Sequence, residues 1–321
     1  MTPLPPALMQ AIALSTAVVV VAMLIALVVQ RTLRHRRQRR SAALDRRIRP
    51  LVLLATVAET DEMDPLLERV RGLDDVEQRH LRRTVFHMLR DVTGEAAERL
   101  RAIGDAGGLT ERVLAASVDR SGSIRADAAE ALGLLQPAGA LEALSRLAAD
   151  PSPVVRTVAV RALGAFSDPV AVDLVVGALA LGSAVPNSVA ASALLEQGMA
   201  ANDRVRAALT DDDAGVRHGA ARVAGLLQVP GSGESLVRLL ADEHHSVRLA
   251  AARSLRRLPV RAAVPALLDR ALADDGEGEA AARTLAAMSA MWTVDAMARI
   301  DREGSLAVRR AAGLRRREAA A

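Results

Sequence analysis

His35, His80, His87, His218, His244 and His245 are the side chains best suited to hold a metal or to move a proton near neutral pH. None stands in a His-Glu-x-x-His spacing, which would place two imidazoles and a base on one helix face. His80 and His87 lie two helical turns apart, too far for one ion. His244 and His245, beside Asp242 and Glu243, form the one local cluster with metal-ligand chemistry. As chain neighbours in a turn they point in different directions, so a solvated turn is the expectation, with a residual ligand site left open. Without cysteine there is no thiolate site and no disulfide. There is no phosphate-binding glycine loop, no Gly-x-Ser-x-Gly elbow and no evident nucleophile–base pair. The chain is therefore expected to carry no cofactor and no catalytic residue, and not to be an enzyme.

Arginine is the remaining source of chemistry, and its placement is regular. All 42 basic residues are arginine. Asp119 stands six residues before Arg125, Asp150 before Arg156, Asp211 before Arg217 and Asp242 before Arg248. An aspartate in such a turn can cap the helix that follows. The arginine can reach an aspartate of its own or the adjacent turn. Because a catalytic group is needed once and these pairs recur, the ladder reads as structural. Asp211-Asp212-Asp213 reads as a solvated helix start.

The elements that carry the ladder follow from its period. The repeat key falls at 125, 156, 187, 217, 248, 279 and 309, with Gly94 one step earlier. Ala128, Ala159, Ala190, Ala220, Ala251, Ala282 and Ala312 follow the key at a constant three residues. Each period holds two apolar runs at helical spacing, such as Leu141, Leu144, Leu147 and Val155, Ala159, Ala162, Leu163. Turn residues such as Asp150-Pro151-Ser152-Pro153 separate them. No such hairpin buries its apolar face alone, so the hairpins must stack. Aromatics make up 1% of the chain (Phe86, Phe166 and Trp292), and a core of Ala, Leu and Val suits closely packed helices.

The pattern Asp-x5-Val-Arg-x2-Ala-x2-Ala-Leu-Gly resembles the HEAT repeat, in the short bacterial variant named after phycobilisome lyases. The resemblance covers roughly 93–321 and implies an all-α, right-handed α-solenoid of about seven hairpins. Residues 50–92 are expected to form a less regular helical cap, with elements over 50–59, 65–71 and 76–91. Enzymes of this fold rely on other signals. The di-iron hydroxylase uses His-Glu dipeptides, and this chain has none. The DNA glycosylases need a basic, aromatic surface, but residues 50–321 hold 33 arginines against 37 acids. No bilin-specific motif is evident beside the shared lyase-type repeat, and no nucleic-acid partner is expected.

Residues 7–29 carry no charge and span roughly 34 Å as a helix at about 1.5 Å per residue, enough for one transmembrane helix. Arg31, Arg34, Arg36, Arg37, Arg39 and Arg40 follow directly, in a basic juxtamembrane segment 30–49. They imply a single-pass protein of the cell membrane with residues 1–6 as an outside stub and the array in the cytoplasm. They could also hold anionic lipid headgroups.

The expected function is a membrane-anchored protein–protein interaction scaffold or regulator, with membrane-associated partners. The alternative is a lyase-like or small-ligand-binding solenoid. The resemblance places the second helix of each hairpin on the concave side. Residues one and five after the key share a face there. That face holds Thr157 and Arg161, His218 and Arg222, Leu249 and Arg253, a spaced basic stripe suited to an acidic helix or tail.

Overall fold

The computed structural model describes residues 23, 27, 30, 31, 42–180, 183–273 and 276–314. The expected span 7–29 lies outside the described residues except for Met23 and Leu27, which are helical and exposed. Arg34, Arg36, Arg37, Arg39 and Arg40 lie outside as well, and Arg31 is helical and exposed. Among the described residues no helix is long and apolar enough to cross a membrane. The chain divides into two compact units, Met1–Leu109 and Thr110–Ala321. The expected cap boundary at 92/93 therefore falls inside the first unit.

In the first unit, α1 (42–57) is followed by α2 (Thr60–Arg71), α3 (Asp75–Met88) and α4 (Glu95–Ala106). The expected starts at Pro50 and Pro65 are corrected: both prolines lie within helices. For Pro65 the local signal that wins is a cap upstream. Glu59 and Glu62 form a capping box ahead of α2, and Asp74 and Glu77 do the same for α3. Ile48, Val52, Leu81, Val85 and Leu100 make the buried core. α4 packs on α2 and α3, and it carries the repeat's Ala97 and Leu100 inward. Arg47 pairs with Glu77 at 2.7 Å and His80 with Asp45 at 2.6 Å, joining α1 to α3.

In the second unit fourteen described helices alternate as first and second arms of seven hairpins. The first arms are α5 (Leu109–Ala116), α7 (Ala140–Ala148), α9 (Pro169–Gly177), α11 (Met199–Ala208), α13 (Gly233–Leu239), α15 (Val264–Leu272) and α17 (Ala290–Glu303). The second arms are α6 (Gly122–Leu135), α8 (Pro153–Leu163), α10 (Asn187–Glu196), α12 (Ala214–Leu227), α14 (His245–Leu255), α16 (Gly278–Ala287) and α18 (Leu306–Ala311). Each second arm packs on the next second arm along the chain, the arrangement of an α-solenoid.

The small residues explain that stacking. The alanines three after the key, from Ala128 to Ala312, are all buried. So are Leu132, Leu163, Leu194 and Leu255, seven after it. The glycine that closes the motif marks the closest helix approach. A Cβ on Gly133 would lie 2.8 Å from the Cβ of Ala162, and one on Gly225 would lie 2.5 Å from that of Ser254. Each contact joins a second arm to one of its neighbours in the stack. In the first arm α7, Ala143, Leu144 and Leu147 are buried while Leu141 is half-buried.

Candidate interaction face

The arginines of the second unit fall into two sets. At the key positions 125, 217 and 248 each guanidinium meets a carboxylate and two carbonyls. Arg125 sends Nε and Nη2 to the two carboxylate oxygens of Asp150, at 2.6 and 2.8 Å, a bidentate fork. Its Nη1 donates back to the carbonyls of Asp119 and Arg120. Arg217 repeats the arrangement three hairpins further on, with Asp242 at 2.8 and 3.2 Å and the carbonyls of Asp211 and Asp212. Arg248 takes Glu277 instead, at 2.8 and 3.0 Å from Nε, and donates to the carbonyls of Asp242 and Glu243. The arginine thus ties its own turn and bolts it to the next hairpin.

Two details of the ladder differ from the expectation. The aspartates do not cap the second helices. Asp119, Asp150 and Asp242 accept the N–H two residues on, from Ser121, Ser152 and His244, and so shape the turn before the helix begins. Asp211 does the same for the N–H of Asp213, which is outside the ladder and itself caps α12 by accepting from the N–H of Val216. The ladder is also interrupted: Arg156 gives its Nε to the carbonyl of Ser183, and Asn187 stands at the next key position.

The hydrogen bonds from Arg125 hold the Asp150 carboxyl below the usual carboxylate range, against the opposing effect of burial. For Asp242 burial acts upward, but the Arg217 fork and the His244 N–H outweigh it, and the carboxyl is held low. Glu277 is 2% exposed; burial pushes it up, and Arg248 and His245 bring it below its ordinary value. An ionised Glu277 can only accept, so His245 donates to it from Nδ1 at 2.6 Å. His244 stands 3.6 Å from Asp242 and 3.4 Å from Glu243. The two histidines are therefore spent on different carboxylates. Among the described residues no group of three or more histidines and acids is placed to hold a metal ion.

On the outward face of the second helices the pattern reverses. Arg161, Ser192, Arg222 and Arg253, five after the key, are exposed, while the residues three and six after the key are buried. Of the residues one after the key, from Ala126 to Ala280, Ser188 is exposed and the others are less open than expected. Thr157 is half-buried and its hydroxyl donates to the carbonyl of Pro153. His218 donates from Nδ1 to the carbonyl of Ser246 at 2.9 Å, tying α12 to α14. Leu249 is half-buried, and Ala126 and Ala280 are buried. Thr284, on the expected face of α16, is buried, its hydroxyl donating to the carbonyl of Ala252.

Arg222 and Arg253 meet around one hollow of about 270 Å³, together with Arg256, Arg257 and Arg283. Arg161 is elsewhere, on α8, with α10 between it and α12. Arg256 and Arg257 were not marked by the stripe. The signal for them was present: in Leu255-Arg256-Arg257 an arginine occupies the place where Gly133, Gly164 and Gly225 stand in other copies.

Three comparisons with known proteins bear on identity. No curated protein matches the chain in sequence. Among solved structures, human deoxyhypusine hydroxylase in complex with glycerol is 20% identical, over 81% of this chain and 96% of its own, with a TM-score of 0.31. The complex of CpcE and CpcF of phycocyanin lyase from Nostoc is 20% identical, over 74% and 93%, with a TM-score of 0.30. An engineered protein is 19% identical, over 82% and 86%, with a TM-score of 0.36. What those proteins do is theirs alone. The model of HEAT repeats matches residues 108–195 and 202–289, more than half of the chain and in the register of the hairpins described above, and the chain belongs to the HEAT-repeat family.

Proposed function

We propose that this chain is a membrane-anchored scaffold that binds partner proteins along the second helices of its repeat array. One observation carries the reading. A row of exposed side chains, Arg161, Ser192, Arg222 and Arg253, recurs at one register on successive helices whose neighbouring positions are buried. A stack of that kind presents an extended surface, and its stability does not depend on what the exposed row contains. Anchoring through residues 7–29 raises the effective concentration of that surface near membrane partners. Arg31 and the five arginines after it set the array on the cytoplasmic side and add attraction to anionic headgroups, about 1 kcal/mol per arginine near the surface.

A photo-crosslinking residue at Ser192 tests the binding face, with Arg146 on first arm α7 as the control. Both positions are exposed. Irradiated native membranes should yield discrete adducts from position 192 and none from 146. Equal adducts from both would show that the row is not a binding face. For the anchor, an export-dependent reporter fused after Ala321 should stay inactive. Its activity would place the array outside. Deletion of residues 1–40 should release the array from the membrane fraction.

A further inference from the structure

The hollow between α12, α14 and α16 has a composition that folding does not explain. Arg222, Arg253, Arg256, Arg257 and Arg283 line it, and no acidic side chain does. Arg283 is held by Glu279, four residues before it. The other four have no hydrogen bond or ion pair among the described residues. The same array gives Arg125, Arg217 and Arg248 each a carboxylate and two carbonyls. Acids are plentiful in the chain, with 37 over residues 50–321, yet none has been placed here. Four like charges around one hollow repel one another and gain from an occupant that brings several negative charges.

The spread of the arginines decides what kind of anion that is. The unpaired ones stand on α12 (Arg222), on α14 (Arg253) and just past its end (Arg256 and Arg257), and with Arg283 on α16 they line three successive second arms; packed helices lie about 8–10 Å apart, so the lining extends over roughly 16–20 Å. One phosphoryl group brings at most about two negative charges to four unpaired guanidiniums. An extended peptide advances about 3.3 Å per residue and covers the distance with about six. Its carboxylates would each find a guanidinium fork. Leu226 and Ala280 add apolar surface to the lining, enough to seat one small aliphatic side chain. We propose that this hollow docks an acidic peptide segment of a partner, about six residues long, with spaced Asp or Glu side chains and one aliphatic residue between them. The proposal rests on the protein-binding reading above and names where on the face the contact is made and by what chemistry.

The test uses the full chain in detergent micelles and a fluorescein-labelled nonapeptide of three Glu-Glu-Leu units. Fluorescence anisotropy should show binding that weakens as salt is raised. The pair Arg253→Glu and Arg256→Glu should weaken it by about tenfold or more. The charge-matched pair Arg204→Glu and Arg238→Glu, on first arms, should change it by less than about twofold. Should the glutamate pair melt early, Arg253→Gln with Arg256→Gln serves in its place. Equal loss in both pairs, or no loss in the first, overturns the docking site. So does displacement of the peptide by an equimolar concentration of pyrophosphate, which would assign the hollow to a compact phosphoryl anion. Adducts from position 192 in the unaltered protein, when that protein binds no peptide, sink the hollow and leave the scaffold standing. Loss of discrete adducts in the unaltered protein sinks the scaffold itself.

Discussion

The turns and the outward face of the same hairpins use one residue type in opposite ways. In the turns, Arg217 and Asp242 have side chains only 11% and 7% exposed, and each satisfies the other. On the face, Arg253 and Arg256 are exposed and have no acceptor among the described residues. Residue type alone does not separate these roles; the distance to the next hairpin's turn does. A key-position arginine such as Arg125, Arg217 or Arg248 stands in the first turn of its helix and so lies level with the following turn. Arg253 and Arg256, about one and a half to two turns later, have passed that level, and only open surface lies before them.

The contrast is broken most directly at the buried partner. Asp242→Ala should cost about 3 kcal/mol in denaturant unfolding, because it strands a guanidinium that the fold has largely dried. A loss no greater than that of Arg253→Ala would erase the distinction. Gly225→Leu probes what holds the face in place: the side chain would enter Ser254, and overpacking of about 2 kcal/mol is expected.

Acid sharpens the comparison further. Asp150, Asp242 and Glu277 are held below their ordinary values, so their contribution is complete above an unfolded pKa of about 4 and fades as pH falls through the folded ones. Thermal melts should therefore drop steeply below about pH 4, and Asp242→Asn should flatten part of that drop. Arginine pairs altered on the face should leave the profile where it was. Lysine is a finer instrument. Arg217→Lys loses the fork and should cost about 1 kcal/mol, whereas Arg253→Lys should stay within about 0.5 kcal/mol. Smallest of all, Arg253→Ala with Arg256→Ala should leave the melting curve within about 0.5 kcal/mol of the parent.

Much of the array was legible because its period constrains every copy at once. Ala159 and Leu163 are buried as their register requires, and the same holds for Ala220 and Leu255. The turn pairings were legible as a choice between same-turn and adjacent-turn partners, and the adjacent turn won for the carboxylates. Contacts between copies resisted. Nothing local shows that His218 will spend its proton on Ser246, or that Glu277 will replace the aspartate absent at position 273. Arg256 and Arg257 were hidden by the repeat itself, since a search for the shared pattern passes over the residues that depart from it. In the first unit Pro50 and Pro65 misled: both lie within helices despite the hydrogen bond a proline forfeits there, and for Pro65 the Glu59–Glu62 capping box sets the helix start upstream.

The gap in the ladder at Arg156 has a mechanical consequence. A stack of hairpins behaves as a one-dimensional chain whose links are its neighbour contacts. Arg125 to Asp150 is one bolted link; Arg217 to Asp242 and Arg248 to Glu277 are two more, in series. Between them, α8 and α12 each pack on α10 less extensively than α6 packs on α8 or α12 on α14, and no carboxylate fork crosses that step among the described residues. Drawn out from its two ends, the array would part there before it parted at a bolted step, leaving pieces that each stay wound.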